Sequence, residues 1–151
     1  MRIFDLHCDT VGECFKQGKH LRENDMHLDL VRCSKYDSYN QIFAIWIPDE
    51  LRGERARSYF ENVCDFFYEE LERNKDLVSL YQDERETPVK ALLSVEGASA
   101  CGGTIEGLYE LHRRGVRLIT LTWNGVNEVG CGAFSKGGLT PFGKEGVKAC
   151  D

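Results

Sequence analysis

The run Gln-Ile-Phe-Ala-Ile-Trp-Ile at positions 41–47 constrains this fold more than any other stretch of the chain. An alternating strand rests on a core with one face, but a nearly unbroken apolar strand must be covered on both. Pro48 stops the run, because proline brings no N–H to a sheet ladder. "VKALLSVEGA" (89–98) and "VRLITLTWN" (116–124) have the same character, and "IFDLHCD" (3–9) opens the chain as a further strand. The segments between them change period. A polar stretch runs from the first strand to about Asp25. From Arg55 to about Tyr81 the pattern is helical: Phe60, Val63, Phe67 and Leu71 recur every three or four residues, with Glu61, Asp65, Glu69 and Glu72 forming a solvated face. "TIEGLYELHRRG" (104–115) reads as a short helix capped by Thr104 and ended by Gly115, with Ile105, Leu108 and Leu111 on one face. "TPFGKEGVKACD" opens another helix, with Thr140 as cap and Pro141 at its first position. Apolar strands alternating with helices imply an α/β fold, a parallel sheet covered by helices in a doubly wound or barrel arrangement.

At 151 residues the chain is long enough for one domain with a substantial core. It stops one or two turns into a helix, so residues 1–151 are expected to form a single partial domain of something larger. A net charge of -6 lacks the basic footprint of a nucleic-acid binder. No apolar run reaches the length of a membrane span, and "MRIFDLHCDT" is not a signal peptide. The expectation is a soluble, cytoplasmic protein without nucleic-acid or membrane partners. The seven cysteines contain no C-x-x-C pair and are odd in number, which fits small buried thiols in a reducing compartment better than a disulfide framework or a zinc ribbon.

Parallel α/β folds build their sites at the C-terminal ends of strands. The first strand ends in His7 and Asp9, two residues apart and so on one face, while Phe4, Leu6 and Cys8 form an apolar face ready for packing. The third strand ends in Glu96, and the fourth in Thr122, Trp123 and Asn124. Imidazole nitrogen with carboxylate oxygens suits zinc or a similar divalent ion, and a glutamate has two oxygens with which to bridge two ions. H-x-D by itself is a weak motif. A buried glutamate can equally serve a Lys or Arg, and a strand-terminal aspartate can simply cap a helix. "GASACGG" (97–103) matches neither G-x-G-x-x-G nor a P-loop, and no G-x-S-x-G occurs. Cys101 has no evident histidine base, and packing accounts for it better than reactivity.

"DLHCDT", "LLSVEGA", "GVRLITLTWNGVNEVGCGA" and "GLTPFGKEGV", in this order, resemble the membrane (renal) dipeptidase family, the M19 metallopeptidases, and are most similar to its bacterial branch. The resemblance spans essentially the whole chain. It implies a (β/α)8 barrel of the TIM-type, metal-dependent hydrolase kind, of which these residues would be the N-terminal half, about four βα units. It also implies two zinc ions: His7 and Asp9 would ligate one, and Glu96 would bridge both. The activity implied is hydrolysis of dipeptides by a hydroxide held between the ions, sometimes with a D-residue at the C-terminal position or a β-lactam ring as substrate. Trp123 and Asn124 would line the substrate pocket.

Two departures from the family pattern matter. Many members have a histidine where this chain has Trp123, whose indole N–H still offers one donor. Two further zinc histidines, a carboxylate-binding arginine and a late aspartate would lie beyond Asp151, and His20, His27 and His112 are not at matching strand ends. The fragment alone is therefore expected to be inactive. The first and fourth strands would be open edges, to be covered by a second copy in a homodimer, by the missing C-terminal half or by crystal neighbours. Two other readings stay open: a non-catalytic half-barrel binding or assembly module, and another metal-dependent amidohydrolase acting on a cyclic amide or ester.

Overall fold

The computed structural model describes residues 1–150. Strand β1 (Arg2–Cys8) leads into helix α1 (Thr10–Gln17) and the short α2 (Leu30–Cys33); β2 (Ser38–Trp46) and the long α3 (Gly53–Arg73) follow. Next come β3 (Val78–Leu80), β4 (Val89–Glu96), a 3-10 turn (Ala98–Cys101), α4 (Ile105–Arg113), β5 (Val116–Thr120) and α5 (Pro141–Ala149). The strands form one five-stranded sheet. Strand β2 lies between β1 and β4, while β3 and β5 both pair with β4. The β1–β2 and β3–β4 pairs are parallel, as continuous apolar strands require.

The chain forms two compact units, and β2 and β4 run from one into the other. The first comprises Met1–Ile45 and Val63–Leu93. Its core holds Val11, Leu21, Leu30, Phe43, Phe67 and Leu93, with the Phe43 and Phe67 rings 5.8 Å apart. The second comprises Trp46–Asn62 and the chain from Ser94 onward, around Ile47, Phe60, Val95, Leu108 and Leu111. Its two helix caps follow from sequence: Thr104 accepts from the Gly107 N–H at 3.0 Å, and Thr140 from that of Gly143 at 2.9 Å.

Several expectations need correction. The stretch after Asp9 is not simply polar, since it holds α1, whose Val11 and Cys14 are fully buried. The long helix ends at Arg73 and not near Tyr81. The Asn74 carbonyl accepts from the N–H groups of both Leu77 and Val78, turning the chain into the unforeseen strand β3. The fourth apolar run stops being a strand at Thr120, four residues early. The apolar face of the first strand is not packed either, with Phe4 49% and Leu6 65% exposed.

One carboxylate of α3 is not on the solvated face. Glu70 is fully buried, accepts from the Leu21 N–H at 2.7 Å, and lies 2.9 Å from His20 Nδ1, with the Arg73 guanidinium also on it. This ties the loop after α1 to α3 and accounts for His20 structurally. Removing the carboxylate leaves the buried Leu21 N–H without an acceptor, whereas His20 and Arg73 are half-exposed and return to water. Glu70→Ala should therefore lower stability by about 1–3 kcal/mol, read as a reduced midpoint in urea denaturation; an unchanged midpoint would contradict this role.

Candidate metal centre

The register of β1 against β2 is regular from Arg2↔Ser38 to Asp5↔Gln41, then resumes at Cys8↔Phe43. Two residues of β1, Leu6 and His7, therefore stand against one of β2. Such a bulge re-aims side chains at the end of a strand, and it breaks the strict alternation the sequence suggests. His7 and Asp9 nevertheless converge, with Nε2 3.4 Å from Oδ1. Asp9 occupies the N-cap position of α1 yet makes no side-chain capping bond, so helix capping does not account for its carboxylate. Cys8, between them, is pushed up to about 12 by burial, which keeps it a neutral thiol at neutral pH. The pair opens on a cleft of about 1040 Å³, also lined by Glu13, His27, Arg32 and Tyr36. Asp29 braces the wall of this cleft. Its carboxylate accepts from the Arg32 backbone N–H at 2.7 Å and from Arg32 Nε at 2.6 Å. Burial pushes that carboxyl up, and the bonds from Arg32 outweigh it, so its pKa ends below the ordinary value.

Glu96 is the last residue of β4. The Ile47 N–H donates to its carbonyl at 2.8 Å, and the next two N–H groups, of Gly97 and Ala98, donate to the carbonyls of Thr120 and Leu121. The C-terminal ends of β2, β4 and β5 thus lie side by side. Gly97 has φ of +95°, a backbone conformation costly for any residue with a Cβ, and this lets the chain turn immediately after the carboxylate. His7 and Asp9 lie in the first unit and Glu96 in the second, and each offers one ligand atom. One imidazole nitrogen with two carboxylates is a donor set that zinc accepts, so the residues present fit such an ion.

Trp123 and Asn124 lie beyond β5, in a loop and not at a strand end. Their carbonyls are fixed by the N–H groups of Ala133 (2.8 Å) and Phe134 (3.0 Å). The sequence reading missed what holds this loop. Asp49 accepts from the Gly125 N–H at 2.8 Å, and Arg52 donates to the Val126 carbonyl. Glu128 accepts from the Gly53 N–H at 3.1 Å and from Ser99 Oγ at 2.8 Å. Their only sequence signal was the clustering of Gly with acidic residues after strands. It also missed Trp46, whose ring centroid is 5.0 Å from that of Trp123. Cys101 is buried and its thiol is pushed up by burial, in keeping with a packing role; all seven cysteines are free. His112 lies in the last turn of α4.

The membrane dipeptidase family, peptidase family M19, matches residues 1–150. The chain belongs to this family. Among solved structures, it superposes on the dipeptidase AC, a metallopeptidase of family M19, with a TM-score of 0.85 at 22% identity, covering 99% of this chain and 53% of that one. A metallopeptidase from Rhodobacter sphaeroides, liganded with a phosphinate mimic of the dipeptide L-Ala-D-Ala, gives 0.82 at 18% identity, covering 99% and 56%. A protein of Acinetobacter calcoaceticus, described as the uncharacterized protein in the PQQ-III 3′ region, is 26% identical over 82% of this chain and 50% of its own length. The chain thus spans about half the length of the relatives it matches. Its α/β fold is that of half an M19 barrel. Among the described residues, no helix is long and apolar enough to cross a membrane.

The loop carrying Trp123 has no room to spare in this M19 chain. A Cβ at Gly132 would lie 2.4 Å from the Gly125 carbonyl oxygen and 2.5 Å from that of Trp123. Gly132→Ala should therefore displace the loop, seen as a changed tryptophan emission maximum and loss of stability of roughly 1–3 kcal/mol; wild-type values for both would contradict the packing.

Proposed function

We propose that this chain supplies the first half of the active site of a zinc-dependent dipeptidase. The observation that carries the reading is the convergence of His7 Nε2 and Asp9 Oδ1, 3.4 Å apart, at the end of β1 in a chain of the M19 family. His7 and Asp9 would hold one zinc ion, and Glu96 would be a ligand shared with a second. When bound, the ions supply Lewis acidity and a water acidic enough to ionise near neutral pH. The chain's own residues do the rest of the work in this half. The 3.4 Å approach of Asp9 to His7 Nε2 keeps the imidazole beside the carboxylate. Main-chain bonds fix the backbone of Trp123 and Asn124, and their indole N–H and amide are the groups assigned to donate to or accept from the peptide group of a dipeptide. Dipeptides, including those ending in a D-residue, are the substrate class. The resemblance assigns two further histidine ligands, a carboxylate-binding arginine and a proton-transferring aspartate to the other half of the barrel, which must supply them for turnover.

Two outcomes are expected. Glu96→Gln in the full-length protein should cut bound zinc by about tenfold or more, measured by elemental analysis after dialysis against a fixed free zinc concentration; undiminished zinc would overturn the assignment. The 151 residues alone should release no amino acid from a panel of dipeptides in the presence of zinc. Turnover by that isolated chain would show the half-site to be sufficient and refute the need for later ligands.

A further inference from the structure

The chain has two tryptophans, and the fold brings them together next to Glu96. Trp46 ends β2, one residue before Ile47, whose N–H reaches the Glu96 carbonyl. Trp123 follows β5, whose last carbonyl accepts from Gly97, one residue after Glu96. Strands β2 and β5 both pair with β4; one indole ends β2 and the other lies in the loop that follows β5. The rings meet nearly edge to face, at 71°. Trp123 is 40% exposed, so its indole is not consumed by the core. A main-chain bond from the Ala133 N–H to its carbonyl holds its backbone, independently of the ring. Edge-to-face packing leaves ring face open for C–H groups while fixing the orientation of both rings.

We propose that Trp46 and Trp123 form an aromatic corner that receives an apolar side chain of the dipeptide beside Glu96 and so sets the preference among dipeptides. This rests on the dipeptidase reading. An aliphatic side chain gains contact with both rings and leaves water. A glycine gains nothing there. An aspartate would lose its hydration against two indoles, with the carboxylates of Glu96 and Asp49 in the same set of loops. Apolar pockets of this kind discriminate by about tenfold or more per missing methylene or two.

These 151 residues hold no other tryptophan, so their intrinsic emission reports on this corner. The test titrates the zinc-loaded, full-length protein with non-hydrolysable phosphinate analogues of Ala-Leu, Ala-Gly and Ala-Asp, following heat and tryptophan emission together. If tryptophans elsewhere in a longer chain contribute, Trp123→Phe identifies the corner's share. The leucine analogue should bind about tenfold or more tightly than the other two and should shift or quench the emission. Trp46→Ala should remove most of that preference, whereas Trp46→Phe should keep it. Trp123→Ala, at an exposed position, should act as Trp46→Ala does and serves if the latter does not fold. Equal affinities for the three analogues, or emission unmoved at calorimetric saturation, would overturn the corner and leave the dipeptidase reading standing. Failure of every analogue to bind would overturn that reading and this inference with it.

Discussion

The pairing of β4 with strands on both of its sides is the constraint on which the rest of the structure depends. Glu96 can sit at the end of a buried strand only because the backbone groups around it are satisfied by neighbours, Ile47 on one side and Thr120 and Leu121 on the other. The same hydrogen bonds bring the ends of three strands to one level. Polar side chains that follow from those ends are then gathered without any of them being buried in a core they would disrupt.

The first strand departs from regularity where it matters for chemistry. Its bulge at Leu6 and His7 leaves the imidazole beside Asp9, while Phe4 and Leu6 remain in contact with solvent. Behind this strand end, buried polar groups take over the role that packing plays elsewhere. Glu70 gathers Leu21, His20 and Arg73, and Asp29 ties down Arg32, so the loop after α1 is held by charge-assisted bonds. The loop after β5 is held in the same manner by Asp49, Arg52 and Glu128. Membership of the M19 family, and a TM-score of 0.85 against a dipeptidase of which the chain covers about half, make both loops part of half an M19 barrel.

Much of the fold was legible because its signals are local. The apolar runs at 41–47 and 89–98, the four-residue rhythm of α3 and the threonine caps of α4 and α5 depend on residues near in sequence. Elements without such a signal were missed. Helix α1 carries only Val11, Thr10, Gly12 and Cys14 toward the interior, too little apolar surface to read as a period, and β3 is three residues long. The early end of β5 was hidden since Leu121 and Trp123 prolong its apolar pattern. The Leu121 carbonyl accepts from the Ala98 N–H and also from the side-chain amide of Asn127, six residues ahead.

The sequence by itself determined the α/β alternation, the residues His7, Asp9, Glu96, Trp123 and Asn124 as the chemically notable ones, and the family. Each of these follows from residue identity and short-range spacing. The tertiary structure decided which of those residues share a place. The meeting of Trp46 with Trp123 and the burial of Glu70 against Leu21 each join residues dozens of positions apart. Such juxtapositions arise from strand order and register, which no local pattern of apolar and polar residues encodes.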